Sequence, residues 1–200
     1  MDEKLFGKYD IAGVEIPDAS LKQYITLSTK LHTHGRHSAR PLAKGKVSIV
    51  ERLANKLMRG GTGKKTSGKI IRTHGRMQGK KTKALKIVEG AFSIVANRTQ
   101  KNPLQLLISA VINSAPREDF TKVSFGGVSY QVAVDVSASR RLDMALRNIT
   151  LAAIMKAFDV KKNLTEALAD EIEYAAKMDA ANSFAIKKRD ETERMARAAR

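Results

Sequence analysis

The 200 residues of this chain are 42% hydrophobic and include no cysteine, a composition that allows one core in one domain and excludes disulfides and thiolate metal sites. No apolar run approaches the roughly 18 residues of a membrane span, and the acidic, interrupted start does not resemble a signal peptide, so we expect a cytoplasmic protein with no membrane partner. The net charge of +17 is costly in self-repulsion unless an anionic partner offsets it.

The first 46 residues contain several glycines and prolines and show no sustained period, which predicts an extended basic arm with little helix. We separate this arm, residues 1–46, from a helical domain at 47–200. Arg36 and Arg40 lie in the most basic part of the arm and are candidates for contacts with phosphates.

The positive charge is concentrated in residues 30–83, which contain sixteen basic side chains and one acid, Glu51. Residues 1–29 carry three basic and five acidic groups, and the 117 residues after position 83 carry 18 and 14. The alternative interpretation is a solvated charged face, but such faces usually mix both signs. A basic tract almost without opposing charge is typical of nucleic-acid binding.

Apolar residues at helical spacing predict six helices. Ser48 with Glu51, and Asn163 with Glu166, have the spacing of capping boxes, while Asn102-Pro103 is a start signal with proline in the first turn. The last helix has a weak apolar stripe and is expected to be poorly held without a partner. The predicted helices cover residues 48–59, 81–98, 103–115, 139–158, 163–178 and 184–199.

The period changes to two where valines and a tyrosine at even positions 128–136 alternate with small or polar residues, the pattern of a strand. Gly126-Gly127 stands just before it, so we predict a β-hairpin over 121–136. A lone hairpin is marginal in water, so its valine face must pack on the helices or contact a partner. The predicted fold class is mainly α: a six-helix bundle with one protruding β-hairpin and an extended basic N-terminal arm.

Two motifs suggest other chemistry. Residues 60–69 are rich in glycine and lysine, but the GxxxxGK[ST] spacing of a P-loop is absent and no strand precedes them. The spacing of His32, His34 and His37 allows a zinc site, but no carboxylate or cysteine is near, and base stacking or hydrogen bonds to phosphates are favoured. We therefore predict no enzyme, no cofactor and no metal.

Arg140 and Arg141 lie at a predicted helix N-terminus, where cations oppose the macrodipole. A phosphate docked there would be favoured by free backbone N–H groups, the dipole and both guanidinium groups. The alternative is that the two arginines pair with acids such as Asp143 or Asp135. Arg147, two turns further along, extends the same face.

A specific resemblance is carried by residues 110–150. They contain PRED, GG-x-x-YQ-x-x-V-x-V and S-x-x-RR in this order, and resemble the signature of the universal small-subunit ribosomal protein of the seventh family. The resemblance extends back through IVERLANKLMRGG and forward through SFAIKKRDETERMARAAR, covering about 46–200. The form INSAPRED and the long arm are similar to the archaeal and eukaryotic branch.

This resemblance implies a protein that binds the 3′ major domain of small-subunit rRNA and nucleates assembly of the subunit head, beside neighbouring head and platform proteins. It implies a position near the exit-site tRNA and the mRNA exit path. The implied tRNA- and mRNA-proximal residues are Phe125, Gly126, Gly127 and Val128 at the hairpin tip, with Lys187, Lys188 and Arg189. The implied rRNA-binding residues are Lys44, Lys46, Arg52, Lys56, Lys64, Lys65, Arg117, Arg140 and Arg141.

Two non-ribosomal alternatives remain open: a general RNA chaperone and a DNA-binding helical protein. Residues 103–115 and the following loop resemble part of a helix-turn-helix, but a strand pair intervenes where the second helix should start. A preference for duplex DNA over RNA would favour the second alternative.

Overall fold

The structure, a computed structural model, describes residues 4–41, 43–61, 71, 77–158 and 160–200, with Arg36 described in its backbone only. Six long helices lie in these ranges, each within two residues of its predicted bounds, and the predicted mainly α class is confirmed. They are α2 (Ile49–Met58), α3 (Lys81–Thr99), α4 (Pro103–Ser114), α5 (Ala138–Ala157), α6 (Leu164–Ala176) and α7 (Phe184–Ala198). A short α1 (Ala19–Lys22) precedes them.

Helix α6 lies at the centre of the bundle and packs against α3, α4 and α5. The side chains that fill this core, among them Phe92, Leu107 and Leu146, are fully buried. Gly90 lets α3 approach α6 closely, because a Cβ atom at that position would lie 2.8 Å from Cγ2 of Thr165. Within the described ranges, no helix combines the length and apolarity needed to cross a membrane.

The helix starts depend on tertiary contacts as well as on local signals. Asn102 caps α4 as predicted, its side chain accepting from the Leu104 N–H at 3.0 Å. The predicted capping boxes are wrong, because neither Ser48 nor Asn163 makes a side-chain cap hydrogen bond. Glu51 is buried and accepts hydrogen bonds from residues distant in sequence, so its carboxylate binds tertiary partners and not the N-terminus of α2.

Helix α7 is held at its start by a buried carboxylate of α6. Glu171 is fully buried and accepts from Ser183 Oγ at 2.7 Å, from the Ala185 N–H at 3.0 Å and from Lys156 Nζ at 2.6 Å. Ser183 in turn accepts from the Ile186 N–H and caps the helix. The expectation of a poorly held helix is wrong, since an apolar stripe says nothing about this polar junction with α5 and α6.

The segment before residue 46 is partly packed into the bundle. A two-residue hairpin pairs β1 (Lys4–Leu5) with β2 (Tyr9–Asp10), and 3₁₀ turns form at Arg36–Ala39 and Ala43–Lys46. Leu5, Leu21 and Ile25 are buried members of the main core. The residues expected to form an extended arm therefore contribute to folding.

The predicted β-hairpin is present and begins three residues earlier than expected. It pairs β3 (Glu118–Phe125) with antiparallel β4 (Val128–Asp135), and we call it the ribbon. Gly126 and Gly127 connect the strands with φ values of 59° and 81°. Both turn positions have positive φ, which glycine adopts without a Cβ clash.

One face of the ribbon is apolar and exposed. Residues directly opposite in the register share a face, and this places on one side Val123, Phe125, Val128, Tyr130, Val132 and Val134. Phe125 is 82% exposed, and the other five are 40–55% exposed. The valine face does not pack on the helices, which leaves contact with a partner as the remaining expectation. We call this set the ribbon apolar face.

Candidate nucleic-acid interface

A cleft of about 500 Å³ is lined by four cations from the loop before α2 and from α2 itself: Lys44, Arg52, Lys56 and Arg59. The last three are spaced by four and then three residues, which places them on one face of the helix. His37 also lines this cleft. The sequence therefore brings four positive charges to one wall of a concave surface.

The cations of this cleft are organised around Asp143 of α5. Arg52 Nη2 lies 3.2 Å and Lys56 Nζ 3.7 Å from Asp143 Oδ1, while Lys44 Nζ donates to Oδ2. Arg52 also donates to the Tyr24 carbonyl, and its side chain is only 3% exposed. Arg52, predicted to face rRNA, is thus mainly a buried link between α2 and α5, whereas Lys44 and Lys56 are 44% and 20% exposed.

The electrostatics of the cleft keep Asp143 ionised. Burial alone would raise the pKa of Asp143, but the hydrogen bond from Lys44 and the charges of Lys56 and Arg52 hold that pKa below its ordinary value. Burial lowers the pKa of Lys56, and Lys44, Arg59 and Arg52 lower it further against the opposing effect of Asp143. One carboxylate against four cations leaves a net charge of +3.

An adjoining cleft of about 240 Å³ shares Lys56 and Arg59 with the first and adds the exposed Arg147. We call the two together the α2–α5 basic surface, with a net charge of +4 from five cations and Asp143. Arg59 was not among the predicted contacts. Its four-and-three spacing from Arg52 and Lys56 was the signal that could have revealed it.

A third basic concavity, of about 570 Å³, lies between the arm and the start of α3. The rings of His32 and His34 stack with centroids 5.8 Å apart, and the lining also includes Lys80, Lys81 and Lys83. Helix α3 has no acid in its first turn and no side-chain cap, so these lysines oppose its dipole unless an anion is present. We call this the arm–α3 cavity. In the part of the chain that the structure describes, no histidine, aspartate or glutamate cluster is arranged to hold a metal.

Arg140 and Arg141 are both ion paired. Arg140 Nη2 lies 3.3 Å from Asp119 and its side chain is 67% exposed. Arg141 is buried and donates to Ser20 Oγ at 2.7 Å and to Asp18 at 3.2 Å, joining α1 to α5. Burial alone would raise the pKa of Asp18, but the hydrogen bonds from Ser20 and Arg141 lower it. Pairing with acids is therefore present, although neither acid is one of the two expected.

Because Arg141 is buried in its pair with Asp18 and Arg140 is exposed, we expect substitutions of the two arginines to differ in their effect on stability. Arg141→Met removes the buried guanidinium group that donates to Asp18 and Ser20, and is expected to lower the free energy of unfolding by about 2 kcal/mol. Arg140→Met removes an exposed pair and is expected to cost less than about 1 kcal/mol. Urea denaturation of the two variants measures the difference, and equal losses would contradict the assignment. Only the Arg140 variant can report on RNA contact without a change in folding.

Arg117 and Arg141 meet in a separate cleft of about 400 Å³ near the base of the ribbon. Four arginines and three carboxylates line it, which leaves a net charge of only +1: Arg117, Arg141, Arg189 and Arg197, with Asp18, Glu118 and Glu193. The Arg117 N–H donates to Glu193 at 3.0 Å. The charges of this lining nearly cancel, in contrast to those of the α2–α5 basic surface.

Comparison with known proteins identifies the family. The sequence profile of the family described as "Ribosomal protein S7p/S5e" matches residues 21–200. The chain belongs to this family. It is 46% identical to proteins described as "Small ribosomal subunit protein uS7" from Methanococcus maripaludis strains C7 and C6, over 202 aligned positions that cover all of both chains. A counterpart from Methanococcus vannielii is also 46% identical, over all of this chain and 97% of its own.

Membership of the S7p/S5e family confirms the resemblance found in the sequence. The chain is a structural protein of the small ribosomal subunit, takes part in translation as an rRNA-binding component of a ribonucleoprotein, and is located in the cytoplasmic ribosome. It is not an enzyme. The non-ribosomal alternatives are thereby set aside.

The other predicted rRNA contacts of this S7p/S5e protein are distributed differently. Arg40 and Lys46 are exposed on the arm. Lys64 and Lys65 lie outside the described residues, as do most of the glycine-rich residues 60–69, and nothing is described of the Arg36 side chain. The structure brings together Lys44, Arg52, Lys56 and Arg147, and it places Arg117, Arg140 and Arg141 elsewhere.

The residues expected near tRNA lie in two places. Phe125, Gly126, Gly127 and Val128 form the tip of the ribbon. On α7, Lys187 is exposed, Lys188 pairs with Glu191 at 2.8 Å, and Arg189 pairs with Asp190 and donates to the Asn113 carbonyl. Arg189 therefore also anchors α7 to the end of α4.

Proposed function

We propose that the α2–α5 basic surface and the arm–α3 cavity bind phosphates of the 3′ major domain of small-subunit rRNA, and that the protein nucleates assembly of the subunit head. The observation that supports this is the excess of cations over two adjoining clefts, five against the single carboxylate of Asp143. Neutralisation of phosphates with release of counterions supplies a large share of the affinity in such complexes.

The cations of the surface divide into a group held by Asp143 and an exposed group. Asp143 fixes Lys44 and Lys56 before RNA arrives, so less side-chain entropy is lost on binding. Arg59 and Arg147 are exposed, and a guanidinium group can donate two parallel hydrogen bonds to a phosphate. The held lysines set the location of the backbone, and the exposed arginines complete the contact.

Binding to a defined rRNA fragment tests the proposal. If about 8 phosphates are neutralised, the logarithm of the association constant falls against the logarithm of salt concentration with a slope near −6 for single strands or −7 for duplex. The measurement is a titration of a 3′ major domain fragment at several salt concentrations. Equal affinity for an unrelated RNA of the same length would overturn the proposal.

A charge-matched pair of variants locates the interface. Arg59→Ala combined with Arg147→Ala is expected to weaken binding to the fragment by about 10- to 100-fold and to reduce the magnitude of the salt slope by about 2. Lys4→Ala combined with Lys101→Ala removes the same charge from exposed positions outside the three basic concavities. A similar loss in both double variants would indicate a net-charge effect without a defined site.

We also propose that the ribbon tip lies near the exit-site tRNA and the mRNA exit path, and that Lys187, Lys188 and Arg189 lie near tRNA and neighbouring head and platform proteins. The exposed aromatic ring of Phe125 supports this, because such rings stack on unpaired bases. A photo-crosslinking amino acid at position 125 in reconstituted subunits should label tRNA or mRNA. Labelling of ribosomal proteins alone would reject the placement of the tip.

A further inference from the structure

The basic tract of residues 30–83 contains a single acid, and that acid is almost completely buried. Glu51 is 1% exposed, although fifteen more positive than negative charges surround it in sequence. An acid that only moderates the attraction for RNA would act from the surface. The burial of Glu51 instead indicates a role in the geometry of the residues that it contacts.

The Glu51 carboxylate joins three separate segments. Its Oε1 atom accepts from the Thr33 N–H at 3.1 Å and from Thr33 Oγ1 at 2.8 Å, which fixes the arm to α2. Lys81 Nζ, in the first turn of α3, donates to the same oxygen. One oxygen atom therefore holds the arm and the α3 N-terminus in a common position.

The charge on Glu51 is stabilised by these contacts. Burial alone would raise the pKa of Glu51, but the hydrogen bonds from Lys81 and Thr33 hold it below its ordinary value. The Lys81 side chain is 21% exposed, so the pair is largely shielded from water. Such a pair holds its geometry firmly, because separating a buried charge from its partner is costly.

Glu51 connects the two chain segments that line the arm–α3 cavity. Thr33 stands in sequence between His32 and His34, which line the cavity from the arm, and Lys81 is one of the lysines that line it from α3. We propose that Glu51 is a positioning residue for phosphate binding, which sets the distance between the histidines and the lysines that line this cavity. The inference rests on the proposed rRNA binding and adds to it the residue that prepares the cavity.

Glu51→Gln distinguishes positioning from simple charge neutralisation by the sign of its effect. The substitution raises the net charge from +17 to +18 and releases Lys81. If Glu51 served only as a counter-charge, the variant would bind every RNA more tightly. As a positioning residue, its loss should weaken binding to the 3′ major domain fragment by about tenfold, with unrelated RNA bound equally or more tightly.

Glu89→Gln is the matched control for this experiment. Glu89 belongs to α3, pairs like Glu51 with a lysine, here Lys8 at 3.2 Å, and has a side chain that is 37% exposed. The control makes the same change of charge without touching the arm–α3 cavity. It should bind the fragment as tightly as the unchanged protein, or more tightly.

Thr33→Val tests the same contact from the arm without altering charge. It removes the hydroxyl donor from a half-buried residue outside the helices, so the bundle should fold normally even if Glu51→Gln does not. We expect a threefold to fivefold loss of affinity for the fragment. Combined with Glu51→Gln, it should add little, because both changes break one contact.

Hydrogen–deuterium exchange of the free protein separates the two possible failures. Faster exchange of residues 31–37 in both variants, with no change in α4–α6, is the result expected from a lost attachment. If the wild-type protein shows no preference for the fragment, the proposed rRNA site is rejected. The exchange rates still report in that case whether Glu51 holds the arm. The positioning role would be overturned if the wild-type protein binds the fragment specifically and the Glu51→Gln variant binds it as tightly. It would also be overturned if exchange of residues 31–37 is unchanged in the variants.

Discussion

Replacement of Asp143 by asparagine is expected to lower the free energy of unfolding by about 3 kcal/mol, because it leaves a buried guanidinium group without its counter-charge. Arg52 is 3% exposed and has Asp143 as its carboxylate partner, at 3.2 Å. The same carboxylate also neutralises Lys44 and Lys56, so three cations would repel one another. Asp143 is itself only 27% exposed, which limits screening by water.

Urea denaturation measures this loss, and Asp119→Asn is the control. Asp119 pairs with Arg140, whose side chain is 67% exposed, so the control should cost less than about 1 kcal/mol. Equal losses in the two variants would show that the cluster around Asp143 carries no special share of the stability.

The difference between wild type and Asp143→Asn should depend on pH in a defined direction. The pKa of Asp143 in the folded protein is lower than its ordinary value of 3.8, so the folded state binds this proton less readily than the unfolded state. The stabilisation is therefore complete above about pH 4 and is lost as the pH falls through the folded-state pKa. Denaturation curves between pH 7 and pH 2 should show the two proteins converging in acid. A constant difference would contradict the lowered pKa.

Glu171→Gln is expected to have an effect of similar size at the other end of the bundle, about 3 kcal/mol of unfolding free energy. The fully buried carboxylate accepts from Ser183 Oγ, from the Ala185 N–H and from Lys156 Nζ. A neutral amide leaves the Lys156 charge uncompensated and turns a donor towards it. The start of α7 should loosen first.

Thermal or urea unfolding together with hydrogen exchange in α7 tests this prediction. Glu191→Gln, on α7 itself, removes an exposed pair with Lys188 and should change stability by less than about 1 kcal/mol. If exchange in α7 is unaffected by Glu171→Gln, the helix is held by its buried apolar residues and not by the polar junction.

The helices and the ribbon were predictable because their signals are local. Apolar spacing predicted the bounds of every long helix to within two residues. Asn102-Pro103 correctly predicted the cap of α4, and the valines that alternate after Gly126-Gly127 correctly predicted a strand of the ribbon. The capping boxes failed for the opposite reason. Ser48 with Glu51 has the correct spacing, but Glu51 bonds Thr33 and Lys81, and no pattern within four residues can reveal partners 18 and 30 positions away.

The positive charge of the candidate site was predictable from the sequence, but the roles of its individual basic residues were less so. A basic side chain in sequence can neutralise an RNA phosphate or an acid of its own chain, and the two cases look alike. Arg52 and Arg141 proved to be buried partners of Asp143 and Asp18, 91 and 123 residues away. The exposed Arg59 was overlooked, although its spacing along α2 places it beside Arg52.

The ribbon affects the protein before it reaches a ribosome. Among the residues that the structure describes, each of its two strands has one edge without a neighbouring strand, and the ribbon apolar face is exposed. Unpaired edges beside exposed valines are templates for strand addition between molecules. We therefore expect a copy of the protein without RNA to be prone to aggregation through the ribbon.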